Sequence, residues 1–324
     1  MKTLLFFNTW EPWRHKEIPM PEDIDYPHYW IDGNYRGIGA PLIDRAKKLG
    51  VNVTSLPYCS PEDADILCFW ECPRGLNDDA FEHALISGKP AYLFVTEHDG
   101  VVKENADFSN SLFFKMIFTY YPDLIDGVKY IASYPMFFRT VAEIDRTPFR
   151  YRKFSAMIGH IPPGGALSYN ERASTAAWFA ENHPENLDLF AKQTGYSGSL
   201  DGAACYRGPC DDKRETLSRY RFSFCYENSV EYPGYVSEKI FDSIFAGCIP
   251  VYLGPPDRDL YIPKACYIDR AAFSSHDELY AYLLAIREEE FNGYQDAMQE
   301  FAVSDFTVRH SPEGFADLVI GHII

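Results

Sequence analysis

The stretch Tyr220–Pro256, YRFSFCYENSVEYPGYVSEKIFDSIFAGCIPVYLGPP, is the most informative part of the chain. It opens on YRFSFCY, which reads as a buried strand ending in the polar cluster Glu227, Asn228 and Ser229. Pro233 and Gly234 then turn the chain, Tyr235 follows, and a helical pattern starts at Ser237-Glu238-Lys239. Ser237 fits an N-cap, so the helix would present free N–H groups and a positive dipole end toward the strand's carboxyl edge. A diphosphate binds at such a place in an open α/β sheet. Lys239 adds a full positive charge there, while Glu238 and Asn228 supply groups suited to ribose or sugar hydroxyls. CIPVYLG, residues 248–254, returns as the next strand and closes a β-α-β unit.

The same pattern repeats outward from this unit. KTLLFFN (2–8), VNVTSL (51–56), DADILCFW (63–70) and KPAYLFVTE (89–97) read as strands, separated by helical patterns at 39–50 and 78–88. A charged, proline-containing stretch, EIDRTPFRYRK (143–153), interrupts the pattern before a fresh strand at FSAMIGHI (154–161). With 324 residues, two domains are expected, 1–148 and 149–324, each a Rossmann-like β/α/β unit, with a central cleft between them. The last helix is expected to pack back on the N-terminal domain. The second half continues with a helix at 169–183, a loop at 195–213, one long helix at 275–298 and an apolar close at 316–324.

Forty-seven acidic against thirty basic residues give a net charge of −17, which argues against affinity built on neutralising nucleic-acid phosphate. The apolar amino terminus is followed at once by Trp10, Glu11, Trp13, Arg14 and His15, too short a run for export or for a bilayer, and reads as a buried first strand. Eight cysteines lie mostly within apolar patterns, as reduced core residues, which favours a cytoplasmic setting. The pairs Cys68/Cys72 and Cys205/Cys210 lack zinc-site spacing, and no metal site is expected.

The segment resembles the donor-binding signature of the α-1,3-fucosyltransferases: Tyr226-Glu227-Asn228-Ser229, Tyr235-Val236-Ser237-Glu238-Lys239, Ala246-Gly247-Cys248-Ile249-Pro250-Val251 and Leu253-Gly254-Pro255 follow its pattern. Tyr226 stands for the usual phenylalanine, Ser237 for threonine, and the VEYPG loop carries one extra residue. The resemblance runs upstream through Lys213 and downstream through Pro263 and Tyr267-Ile268-Asp269, about a third of the chain. It implies a GT-B architecture, GDP-fucose as donor held by the C-terminal domain, inversion at the anomeric carbon, and no required metal or other cofactor. Donor-binding residues are then Arg172, Asn228, Ser229, Tyr235, Glu238 and Lys239, with Arg172 and Lys239 on the diphosphate and Lys213 as a second candidate for that role.

An inverting transfer also needs a base for the acceptor hydroxyl. The strand PAYLFV ends in Thr96, Glu97, His98 and Asp99, and Glu97 stands where the resemblance implies the base; Asp99 and Glu71 compete for that role, and His98 is a candidate to orient the acceptor. The rings of Trp10, Trp13, Tyr26, Tyr29, Trp30 and Tyr35 either form an acceptor wall or pack a long loop. The acceptor class implied is a glycan containing N-acetylglucosamine or glucose, such as a lipopolysaccharide or a free oligosaccharide. Membrane association is not expected, and the oligomeric state is open. Two other readings compete: a transferase of the same fold using another GDP- or UDP-sugar, and a non-catalytic nucleotide- or glycan-binding protein.

Overall fold

The computed structural model describes residues 1–8, 40–55, 59–73, 82, 86–106, 108–133, 143–159, 167–191, 200 and 203–324. The ring cluster between Trp10 and Tyr35 and most of the helix expected at 78–88 lie outside the described residues. The chain divides into two compact units, Met1–Thr140 with Arg309–Ile324, and Val141–Val308. The charged stretch 143–153 thus opens the second unit. There Arg152 is buried and donates to the carbonyls of Thr147, Tyr220 and Ala246 while pairing with Asp145 at 2.6 Å.

In the first unit, β1 (Lys2–Asn8), β2 (Val51–Ser55), β3 (Ile66–Trp70), β4 (Ala91–Phe94), β5 (Met116–Thr119) and β6 (Tyr130–Ala132) form an all-parallel sheet in the order β2-β1-β3-β4-β5-β6. Buried side chains cover both faces: Leu4, Phe6, Cys68, Phe94 and Phe118 on one, Leu5, Leu67, Phe69, Leu93 and Ile117 on the other. The C-terminal helix Pro312–His322 joins this core. Its Phe315 ring meets those of Phe6, Trp70 and Phe94 at 6.5, 5.9 and 5.6 Å, and Arg45 pairs with Asp317 at the rim.

In the second unit, β7 (Lys153–Ile158), β8 (Leu187–Phe190), β9 (Tyr206–Gly208), β10 (Tyr220–Tyr226), β11 (Ile249–Leu253) and β12 (Ile268–Asp269) form a second parallel sheet in the order β12-β11-β10-β7-β8-β9. The chain winds from β7 through β8 to β9 on one side, then restarts at β10 on the other. The strand order therefore reverses between β7 and β10, the point where open α/β sheets bind ligands beyond the strand ends.

Two sequence expectations are corrected here. The stretch 275–298, expected as one helix, is two, His276–Ala285 and Glu288–Ala302. Ile286 turns extended and stays buried, and Glu288, Glu289 and Glu290 crowd the first turn of the second helix, where carboxylates favour a helix start. The stretch 195–213, expected as loop, contributes β9, a short edge strand with Tyr206 and Gly208 partly buried and Arg207 exposed. Tertiary pairing with β8, not apolar patterning, makes it a strand.

Candidate functional site

The second unit gathers charge at the carboxyl end of β10. Glu227, the first residue past the strand, is completely buried, and its carboxylate is a hub. It accepts the N–H of Ser237 at 2.9 Å, the Ser237 hydroxyl at 2.5 Å, the Tyr252 hydroxyl at 3.0 Å and the Lys239 ammonium at 3.3 Å. A buried carboxylate is tolerated when several donors and a cation satisfy it. Ser237 does occupy the N-cap of the helix Glu238–Phe245, but its hydroxyl goes to Glu227 and caps no helical N–H. The first turn therefore has no side-chain cap from Ser237.

Glu238 and Asp242 stand one turn apart on that helix and share Lys213, whose Nζ lies 3.4 Å from Glu238 Oε1 and 3.0 Å from Asp242 Oδ2. Burial works to raise the Glu238 carboxyl, but the Lys239 and Lys213 charges overcome it and bring it down to about 2. For Asp242 the balance tips the other way: burial pushes it up against the opposition of Lys213. A small recess beside them is lined by Lys213, Ser223, Tyr226, Lys239, Asp242 and Ser243. Two lysines facing three carboxylates leave the cluster with an excess of acid, so an arriving anion would have to draw the ammonium groups from their present partners.

Arg172 lies in the second turn of the helix Leu167–Asn182 and is 4% exposed. Its Nη2 donates to the Tyr226 carbonyl at 2.5 Å, and its side chain passes close over Gly159, at the end of β7. It thus marks the β7/β10 reversal point. Asn228 donates weakly to the Tyr235 hydroxyl at 3.5 Å, Ser229 Oγ holds the Glu231 N–H at 3.2 Å, and Tyr235 is buried. The structure brings Lys213, Glu238 and Lys239 together, sets Arg172 at the strand-order reversal, and uses Asn228, Ser229 and Tyr235 to shape the loop after β10.

Sequence reasoning missed Asp242 and the hub role of Glu227. The first had a signal, an acid one turn after Glu238 on the same helix face. Tyr226, the departure from the usual phenylalanine, uses the oxygen that phenylalanine lacks. Its hydroxyl meets Thr175 Oγ1 at 3.1 Å, which meets His276 Nε2 at 3.1 Å, beside the Glu171–Arg270 pair at 2.8 Å.

In the first unit, the segments after β3 and β4 form a second polar cluster. Glu71 is 3% exposed and carries a φ of +70°. Its carboxylate accepts the Thr96 N–H at 3.1 Å, the Glu97 N–H at 3.2 Å, the Asn105 amide at 2.6 Å and the Thr96 hydroxyl. Burial raises the Glu71 carboxyl to about 7 against those hydrogen bonds, with the Glu97 charge adding to the rise. Glu97 itself is part-buried on the turn after β4. His98 is buried, with Nδ1 accepting the Gly100 N–H at 3.1 Å, and Asp99 is part-buried.

All eight cysteines are free thiols. Among the described residues no cluster of His, Cys, Asp or Glu has the arrangement of a metal site, and no helix is long and apolar enough to cross a membrane.

Comparison with known proteins adds to this geometry. The chain is similar to a solved α1,3-fucosyltransferase in complex with GDP-fucose with a TM-score of 0.53 at 15% identity, over 94% of this chain and 82% of that one. It matches a DNA-modifying β-glucosyltransferase with a TM-score of 0.56 at 10% identity, covering 98% of each chain. These likenesses establish the fold, the GT-B plan of two parallel-sheet units. Alpha-(1,3)-fucosyltransferase 7 of Rattus norvegicus is 30% identical over 152 residues, 44% of this chain and 40% of that protein. The chain spans less than half the length of the curated relatives it matches. Residues 188–316 match the family model described as glycosyltransferase family 10 (fucosyltransferase) C-term, and they contain β10, the Glu227 hub and the Lys213–Glu238–Asp242–Lys239 cluster. That segment of the chain is similar to the C-terminal domain of the family 10 fucosyltransferases.

Proposed function

We propose that this protein is an inverting α-1,3-fucosyltransferase that moves L-fucose from GDP-fucose to a hydroxyl of a glycan containing N-acetylglucosamine or glucose. The observation that carries the reading is the Lys213–Glu238–Asp242–Lys239 cluster at a helix start beside the β7/β10 reversal, within the segment matched by the fucosyltransferase family model. In the reaction the acceptor oxygen bonds to the anomeric carbon as the bond to the β-phosphate oxygen breaks. Glu97 takes the acceptor's proton, and GDP leaves with the bonding electrons. Lys239 and Arg172, with Lys213, hold the diphosphate as its charge grows, which stabilises the transition state more than the ground state. Asn228, Ser229, Tyr235 and Glu238 hold the nucleotide and sugar.

Because cationic side chains serve the leaving group, the reaction needs no metal. Activity should survive EDTA, and loss restored by manganese would refute that part of the reading. The decisive test incubates the protein with GDP-fucose, other GDP-sugars and UDP-glucose against an array of N-acetylglucosamine- and glucose-terminated acceptors. Mass gain and the anomeric proton coupling of the product are read. A gain of one deoxyhexose from GDP-fucose with inverted configuration supports the proposal; transfer from UDP-glucose alone, or retention of configuration, sinks it.

A further inference from the structure

Glu71 combines three features that ordinary packing does not require of a carboxylate. Its backbone is left-handed, with φ +70°, the one non-glycine residue in that region among those described. A long side chain there is disfavoured by about 1–3 kcal/mol, and such outliers persist where the surroundings enforce them, commonly at functional positions. The conformation takes Glu71 out of the alternation of β3 while its N–H still bonds to the Phe94 carbonyl at 2.8 Å. Its side chain thereby reaches the turn that follows β4.

There the carboxylate meets four donors: the N–H groups of Thr96 and Glu97, the Thr96 hydroxyl and Asn105 Nδ2. Asn105 completes the arrangement. Its Nδ2 also donates to the Glu97 carbonyl at 2.7 Å, and its Oδ1 accepts the Cys72 N–H at 2.9 Å. Glu97 is thus held at both its N–H and its C=O by one buried pair of side chains. An ionised carboxylate is an acceptor only, matching four donors; glutamine would set its own NH2 against one of them.

We propose that Glu71 is the positioning residue for Glu97, fixing the turn on which that carboxylate stands; this rests on the reading of Glu97 as the base. Glu71 itself is buried and works through its neighbour. The titratable groups that interact with it include the Glu97 carboxyl on the β4 turn and the Tyr120 and Tyr121 phenols after β5. Its own carboxyl is raised to about 7, mainly by burial, with the Glu97 charge adding to the rise.

The test compares Glu71→Gln, Glu71→Gly, Glu97→Gln and the Glu71→Gln/Glu97→Gln double variant in the intact chain. Glycine accepts φ +70° without strain, so Glu71→Gly keeps the backbone and loses only the clamp. With GDP-fucose and an active acceptor, both Glu71 variants should lose about tenfold to a hundredfold in kcat, with the KM for GDP-fucose nearly unchanged. The double variant should be no slower than Glu97→Gln alone, because both changes act on one group. Wild-type kcat in both Glu71 variants, or losses that multiply in the double variant, would overturn the proposal. Hydrogen exchange at the Thr96 and Glu97 amides supplies a readout that needs no turnover. Exchange at least about tenfold faster in Glu71→Gln supports the clamp, and unchanged exchange overturns it. If the wild type transfers nothing from GDP-fucose, the functional reading fails by itself and the exchange result decides the clamp.

Discussion

Lys213 Nζ lies 3.0 Å from Asp242 Oδ2, tying the short helix Lys213–Leu217 to the helix that starts at Glu238. Burial raises the Asp242 carboxyl, and the lysine is the main influence holding it down. A diphosphate that draws Lys213 toward itself removes that restraint and adds negative charge, so Asp242 takes up a proton. GDP binding should therefore tighten as pH falls through the Asp242 titration. Calorimetry in buffers of different ionisation heat reads the proton directly. Asp242→Asn should abolish the uptake, and proton-neutral binding by the wild type would disprove the coupling.

Glu238 predicts the opposite pH sense for stability. Its carboxyl sits at about 2 in the fold against an ordinary 4.5, because Lys239 and Lys213 outweigh burial. A depressed carboxyl contributes stability that is present above its unfolded value and is lost as pH falls through its folded one. The stability difference between wild type and Glu238→Gln in urea unfolding should thus narrow from pH 5 to pH 3. A difference constant across that window would show that the lysines do not sustain the ionised form.

Gly247 ends the helix Glu238–Phe245 at φ +61°, and a Cβ there would lie 1.8 Å from the Asp145 carbonyl oxygen. That carbonyl also accepts Arg152 Nη2 at 3.1 Å and Gln295 Nε2 at 3.2 Å, so it has little freedom to retreat. Gly247→Ala combines a disfavoured φ with a backbone clash, and should cost about 3 kcal/mol or more. For a unit of this size the melting temperature should fall by on the order of 10 °C. A variant melting within two or three degrees of wild type would mean that Asp145 moves aside at little cost.

The elements around these residues differ in how far the sequence discloses them. The run Tyr220–Tyr226, the turn residues Pro233 and Gly234, and the helix from Glu238 are legible because apolar period and turn chemistry are local properties. Lys213, Glu238 and Lys239 are legible as candidates for the same reason together with the resemblance. The hub at Glu227 is not, because it depends on Tyr252 from the next strand and Ser237 from across the loop, and only the folded sheet brings them within reach. Glu71 is harder still. A left-handed position usually announces itself by glycine or asparagine, and here a glutamate occupies it. The break at Ile286 is hidden because helical apolar spacing continues through it, and burial of Ile286 with the acidic start at Glu288 decides the split.

Glu97 carries the sharpest prediction. Its main chain is anchored on both sides, N–H to Glu71 at 3.2 Å and C=O from Asn105 at 2.7 Å, so substituting its side chain should leave the turn in place. Glutamine keeps the shape of the side chain and removes its basicity. As the anomeric carbon becomes electron-poor, the acceptor hydroxyl must give up its proton, and a positioned base typically accelerates such a step by about a hundredfold or more. Glu97→Gln should therefore lower kcat by that factor while GDP-fucose affinity, which the proposed function assigns to residues of the second unit, changes little. Calorimetric binding and product formation measured on the same purified variant separate the two quantities, with Asp99→Asn measured alongside. Near-normal transfer by Glu97→Gln together with a dead Asp99→Asn would move the base two residues along the chain and leave the donor site as assigned; near-normal transfer by both would remove the base from this turn altogether.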